Sequence, residues 1–161
     1  MIFDLEIPNS RKLKERDIAD LTLSEALFTI YDLDNNLILI WNDARITLNY
    51  KLDIGDSILD IFQMIDDIIN KKEEFKTQFP SQSFFELWIC EIIDNNIHIK
   101  WDGFKENYNN NIDDIIVLDV SLFVKVWMKL LQQLKSDLLE KGYNELNLED
   151  FYLFEKLKQI N

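Results

Sequence analysis

The stretch Ala26–Leu52, ALFTIYDLDNNLILIWNDARITLNYKL, decides the fold class. Its apolar residues alternate with polar ones, the period of strands with one buried and one wet face. The alternation predicts three strands, Ala26–Leu33, Leu37–Trp41 and Arg45–Leu52. Asp34-Asn35-Asn36 and Asn42-Asp43-Ala44 separate them. Asn and Asp suit tight turns because their short side chains bond the local backbone. The third strand is the clearest: Ile46, Leu48, Tyr50 and Leu52 face one way, and Arg45, Thr47, Asn49 and Lys51 the other. Pairing Asn42 with Arg45 sets Trp41 opposite Ile46, Leu39 opposite Leu48 and Leu37 opposite Tyr50, all on one face. Connections this short require antiparallel pairing.

Working outward, Met1–Ile7 reads as a short strand broken by Pro8 and Asn9. The basic cluster Arg11, Lys12, Lys14 and Arg16 is interrupted by Glu15 and reads as a solvated turn or short helix. Past Gly55, Ile58, Ile61, Phe62, Ile65, Ile68 and Ile69 recur at three and four, so an amphipathic helix is expected, ending in the charged stretch Lys71–Lys76. Phe84–Ile93 and Ile97–Trp101 form a second hairpin about Asp94-Asn95-Asn96; Asn107–Asn111 is a loop and Asp114–Leu118 a short strand. The longest helix runs from Ser121 to Lys141 and closes at Gly142; a last one, capped by Asn147, runs from Leu148 to Leu157. The order predicts a single α+β domain over residues 1–161, an antiparallel meander sheet of five to six strands with three main helices packed on it.

Composition narrows the function. Of 161 residues, 47% are apolar and 12% aromatic, which supports a packed core. There are 30 acids and 17 bases, a formal charge of −13. That balance opposes direct nucleic-acid binding, which needs excess Lys and Arg to neutralise phosphates, and binding to anionic membranes. No apolar run is long enough to span a bilayer, and Met1–Ile7 carries Asp4 and Glu6 where a secretory signal would be basic, so a cytoplasmic protein is expected. One Cys and one His leave no Cys/His zinc set and no disulfide. Abundant Ile, Asn and Lys with scarce Gly and Pro suit an AT-rich genome.

The chemistry-bearing residues read mostly as structure. Pairing Asp94 with Ile97 places Cys90 on the core side, opposite Trp101, and His98 on the other face, opposite Ile93. Strand side chains alternate, so the two are kept apart. Asp32-Leu33-Asp34-Asn35-Asn36 opens like a calcium loop, but Leu37 stands where such a loop needs Gly. Asn109, Asn111, Asp113 and Asp114 read as a polar loop. Asp66-Asp67, Asp113-Asp114 and Glu149-Asp150 are adjacent acid pairs, whereas acid–base work needs two carboxylates in different environments around one substrate. Gly55, Gly103 and Gly142 are scattered and make no phosphate loop. Trp41, Trp88, Trp101 and Trp127 fit core positions; one at a sheet edge would instead anchor a partner. No catalytic residue, cofactor or metal site is expected.

A charge of −13 exceeds the magnitude of about 2–8 that keeps a small domain soluble. Either the acids are a solubilising exterior, or they recognise a basic partner through complementary potential. A single acidic cytoplasmic α+β domain without a catalytic signature resembles the immunity proteins of bacterial polymorphic toxin systems, including contact-dependent growth inhibition systems. The resemblance rests on architecture and composition along the whole chain. It implies a protein that binds and neutralises a cognate basic toxin domain, commonly a nuclease. The acids expected to meet the toxin are Asp60, Asp67, Asp94, Asp113 and Asp114. The alternatives are a structural, adaptor or nucleic-acid-mimic subunit of a phage or mobile element, and a carboxylate-dependent enzyme.

Overall fold

In chain order the elements are β1 (Phe3–Glu6), α1 (Leu23–Ile30), β2 (Asn36–Trp41), β3 (Ala44–Asn49), a π-helical turn (Tyr50–Ile54), α2 (Gly55–Ile69), β4 (Glu74–Pro80), β5 (Phe85–Ile93), β6 (Asn96–Trp101), β7 (Ile115–Asp119), α3 (Val120–Glu140) and α4 (Tyr152–Leu157). They come from a computed structural model that describes residues 1–103, 108 and 112–157. Most of the expected loop Asn107–Asn111 lies outside the described residues.

The expected strand Ala26–Leu33 is instead α1. Thr22 and Glu25 form a capping box: the Thr22 hydroxyl accepts from the Glu25 amide at 3.3 Å, and the Glu25 carboxylate accepts from the Thr22 amide at 3.1 Å. Leu23, Ala26, Leu27 and Ile30 then recur at three and four, and all are buried. Ala26, Phe28 and Ile30 also satisfy a period of two, and the cap breaks the tie.

The single expected meander is two antiparallel sheets, ordered β1-β2-β3 and β4-β5-β6-β7. Helix α2 separates them along the chain. Strand β4 falls within the stretch read as the charged end of α2. Glu74–Pro80 alternates, with Phe75, Thr77 and Phe79 buried between exposed Glu74, Lys76 and Gln78. The third expected strand also stops early. The Asn49 side chain accepts from the amides of Lys51 and Leu52, each at 3.0 Å, and turns the chain into the π-helical segment.

Both hairpins pair two residues out from the expected register. Trp41 lies opposite Ala44, Leu39 opposite Ile46 and Leu37 opposite Leu48. Trp88 lies opposite Trp101, Cys90 opposite Ile99 and Glu91 opposite His98. Each loop still holds two residues, but these are Asn42-Asp43 and Asp94-Asn95, one position earlier than the expected pairings imply. Asp94 and Asn95 both have positive φ, 48° and 65°, the type I′ geometry that Asn and Asp tolerate. A shift of two keeps every side chain on its face, so the inward set is unchanged.

Helix α3 begins at Val120, one residue before the expected Ser121, and Asp119 caps it. Its carboxylate accepts from the amides of Ser121 at 2.8 Å and Leu122 at 3.2 Å. At the other end Gly142 takes φ +82°, with its amide on Leu139 and that of Tyr143 on Leu138, each at 3.0 Å: a Schellman close. Helix α4 is shorter than expected because Asn147 caps the preceding turn, accepting from the Asn144 amide at 2.9 Å.

The inward faces meet in one connected core. At its centre Trp41 of the first sheet packs on Trp101 and Trp88 of the second, with ring centroids 4.8 and 5.3 Å apart. Trp127 of α3 lies 6.2 Å from Trp88. All four tryptophans are buried. The segment between β1 and α1 is tied to α3 by a largely buried ion pair. Arg11 donates to both Asp137 oxygens, at 2.7 and 2.9 Å, and the Tyr31 hydroxyl donates to the same carboxylate at 2.5 Å. Burial first, then this bond, pushes the Tyr31 hydroxyl far above its ordinary pKa.

Asp137→Ala leaves the Arg11 guanidinium and the Tyr31 hydroxyl without their acceptor, and a loss of about 3–5 kcal/mol is expected in urea unfolding. Replacing Arg11 by Met and Asp137 by Leu together should cost less than Asp137→Ala alone, because no charge is then left buried.

Candidate partner-binding surface

The five expected contact acids do not share a surface. Asp67 turns inward. It is 5% exposed, accepts from Gln63 at 2.8 Å and pairs with Lys72. Asp94 is exposed in the β5–β6 turn. Asp113 and Asp114 are exposed before β7, at the opposite end of that sheet. The Asp113 carbonyl accepts from the Trp41 indole at 3.0 Å, and its carboxylate accepts from Asn42. The Asp114 carbonyl accepts from the Trp101 amide at 2.9 Å. Asp43, Asp113 and Met1 line a shallow hollow of about 340 Å³ there.

Asp60 belongs to a different grouping, which the helices build. Ser24 of α1 donates to the Gly55 carbonyl at the start of α2, at 2.9 Å. The Leu23 amide donates to Asp150 at 2.8 Å, and the Glu149 amide donates to the Leu21 carbonyl at 2.9 Å. Phe154 of α4 meets Phe62 of α2 edge-on at 5.1 Å. These contacts gather α1, the first half of α2 and the approach to α4 on one side of the molecule. Glu25, Asp56 and Glu149 are exposed there, and Asp60 and Asp150 half-buried. Among them stand three apolar side chains turned to solvent, Phe28 and Leu59 at 50% and Tyr152 at 58% exposure. The Lys51 ammonium lies 4.0 Å over the Phe28 ring. A cleft of about 420 Å³ opens beside Leu59, between α2 and α4.

The electrostatics set this side apart. Among the described residues none of the five acids joins an ion pair, whereas Glu6 pairs with Arg45 at 2.5 Å, Glu15 with Lys141 at 2.9 Å and Asp66 with Lys156 at 3.5 Å. Partial burial raises the carboxyl pKa of Asp60, and that of Asp56 with help from Asp53. Burial raises Asp150 as well, and the charges of Glu149 and Glu25 add to it. Glu25 goes the other way, held low by the amides of Leu21 and Thr22 that its capping role supplies. Three carboxylates are therefore ionised at neutral pH at some cost, a cost that an arriving cation would reduce.

Of the residues on this side, the sequence reading named Asp60 as a contact but not Glu25, Asp56, Glu149, Asp150 or the apolar members. A signal existed for Leu59, which stands off the buried stripe of α2. Phe28 was hidden by the strand reading of α1.

A larger groove, about 1090 Å³, runs along α3 beside β1. Its lining is mostly apolar, with Lys125, Lys129 and Asp4 as its charged groups. Cys90 lies apart, buried beneath β5, its thiol pushed up to about 12 by burial and then by the charge of Asp67. Among the described residues no helix is long and apolar enough to cross a membrane. Comparison with protein-family models, with curated proteins and with solved structures finds no match to this chain.

Asp60→Asn tests the electrostatic state of the helical side. With its pKa raised in the fold, the native state holds the proton more tightly than the unfolded chain. The resulting penalty is present above the folded pKa and is relieved as pH falls through it. The amide variant should raise Tm at pH 7 by at most a few degrees, since solvent screens a half-exposed group to under about 1 kcal/mol. The gain should vanish in melts near pH 3 (about one unit below an ordinary Asp).

Proposed function

We propose that this chain is a cytoplasmic inhibitor of the immunity type, which binds a basic toxin domain of the nucleic-acid-cutting class through its acidic helical side. The observation that carries the reading is the grouping of Glu25, Asp56, Asp60, Glu149 and Asp150, without ion-pair partners among the described residues, around solvent-facing Phe28, Leu59 and Tyr152. Apolar anchors ringed by charge are the usual anatomy of a protein-binding patch. A nuclease presents cations where phosphates dock, and these carboxylates can occupy that same field. Long-range attraction from a chain of charge −13 would speed the encounter and weaken with salt. Binding over the substrate surface blocks the enzyme without any chemistry by the inhibitor.

The experiment uses the protein encoded beside this chain in its native genome. Expressed alone it should be lethal, and co-expression should protect. Affinity should fall steeply between about 0.1 and 1 M salt. Combining Asp56→Lys with Asp60→Lys should weaken binding at least about tenfold and flatten the salt dependence. Changing Asp94 or Asp113 to Lys should do far less. A harmless neighbour, or protection that survives the double reversal at full strength, would refute the proposal.

A further inference from the structure

The outer face of the four-stranded sheet is polar along β4 and β6, as an uncovered antiparallel sheet normally is, but carries an apolar stripe along β5 that β7 extends. Along β5 the outward residues are Phe85, Leu87, Ile89, Glu91 and Ile93, and β7 adds Ile115 and Val117. Phe85 is 50% exposed, Ile93 41% and Ile115 52%. The inward side chains of the same strands, among them Phe75, Trp88, Cys90, Ile99 and Ile116, belong to the core shared with α2 and α3. No described helix covers the outer side. The outward face of the three-stranded sheet carries Asp4, Glu6, Arg45 and Thr47 on either side of Ile38 and Ile40, with Glu6 and Arg45 paired.

Charge on the outer face of the larger sheet is ordered in rows. Glu74, Glu91 and His98 stand side by side across β4, β5 and β6. The next outward row is Lys76, Ile89 and Lys100. The two glutamates and two lysines cancel, on a chain whose total is −13. A two-fold axis lying in the interface, at right angles to the strands and between these rows, sets the acidic row of one copy over the basic row of the other. Glu74 then faces Lys76 of the second copy. Glu91 sits over Ile89, flanked by Lys76 and Lys100. The same operation sets Ile93 against Leu87 and Val117 against Ile115. Apart from His98, which falls over Lys100, the pattern complements itself, as a two-fold interface requires. In plan the face measures on the order of 500 Å², from strand spacings of about 4.8 Å and a rise of about 3.3 Å per residue. That is below the roughly 800 Å² per partner of a standard-size interface, which fits a dimer of moderate affinity.

We propose that this face binds a second copy of the chain, the two four-stranded sheets packing face to face as a symmetric dimer. The proposal stands apart from the inhibitor reading, since the acidic helical side lies on other elements. Sedimentation of the full chain over about 1–200 µM tests it, and a dimer with Kd in roughly the micromolar range is expected. Ile89→Glu should abolish association while leaving the circular dichroism spectrum unchanged, because its side chain points away from the core. Lys76→Glu should weaken the dimer at least about tenfold, and adding Glu74→Lys should restore it to within about threefold. A monomer throughout that range, or a dimer indifferent to Ile89→Glu, would overturn the proposal. So would a double charge swap no better than the single one, and this pair decides the matter if Ile89→Glu fails to fold.

Discussion

Trp41 is the point where the two sheets meet. Its ring packs on Trp101 and Trp88 of the other sheet, and its indole N–H donates to the Asp113 carbonyl at 3.0 Å, so one residue supplies both apolar area and a directional bond. Aromatic pairs of this kind contribute about 0.5–1.5 kcal/mol each beyond the area they bury. Phe3 extends the cluster to β1, and Phe123 and Trp127 extend it to α3. Because α3 follows β7 directly and its cluster residues pack on both sheets, the aromatic junction holds the helix and both sheets in one arrangement. Which side chains are left outside follows from that arrangement.

Several acids are consumed by the interior. Asp53 accepts from Ser81 at 2.6 Å and from Ser83 at 2.5 Å, joining the π-helical turn to the β4–β5 connection. Glu86 accepts from the Trp101 indole at 2.7 Å and from Tyr108 at 2.8 Å. Asp137 holds Arg11 and Tyr31, and Asp67 holds Gln63 and Lys72. Each is buried and satisfied, as low-dielectric surroundings demand. The acidity of the chain therefore has two jobs. One is internal pinning. The other is the surface charge, whose acids form no ion pairs among the described residues where α1, α2 and the approach to α4 come together.

Two kinds of error separate sequence reading from structure, and both are physical. A period of two and a period of 3.6 overlap over short stretches, and the Thr22–Glu25 cap decided for α1 what alternation alone left open. Register follows the turn, and loops placed one residue earlier than expected shifted both hairpins without turning any side chain over. Inward residues such as Leu39, Ile46, Trp88 and Ile99 were therefore legible even where their partners were not. The candidate surface was much less legible. Asp60 was found by its place off the apolar stripe, and so was Asp67, yet one is half-buried and unpaired while the other is buried and bonded.

The sequence by itself determined the charge of −13, the α+β class, the inward face of most strands, the start of α2, and the extent of α3 to within a few residues. These are local or summed properties, written in periodicity, caps and composition. Only the tertiary structure decided that there are two sheets, that Glu25, Asp56, Asp60, Glu149 and Asp150 fall on one side, and that no described helix covers the outer face of the larger sheet. The reason is distance along the chain. Asp56 and Asp150 fall on one side only because α1 packs against the start of α2 and bonds Asp150 through the Leu23 amide, and no local pattern encodes a contact between segments that far apart.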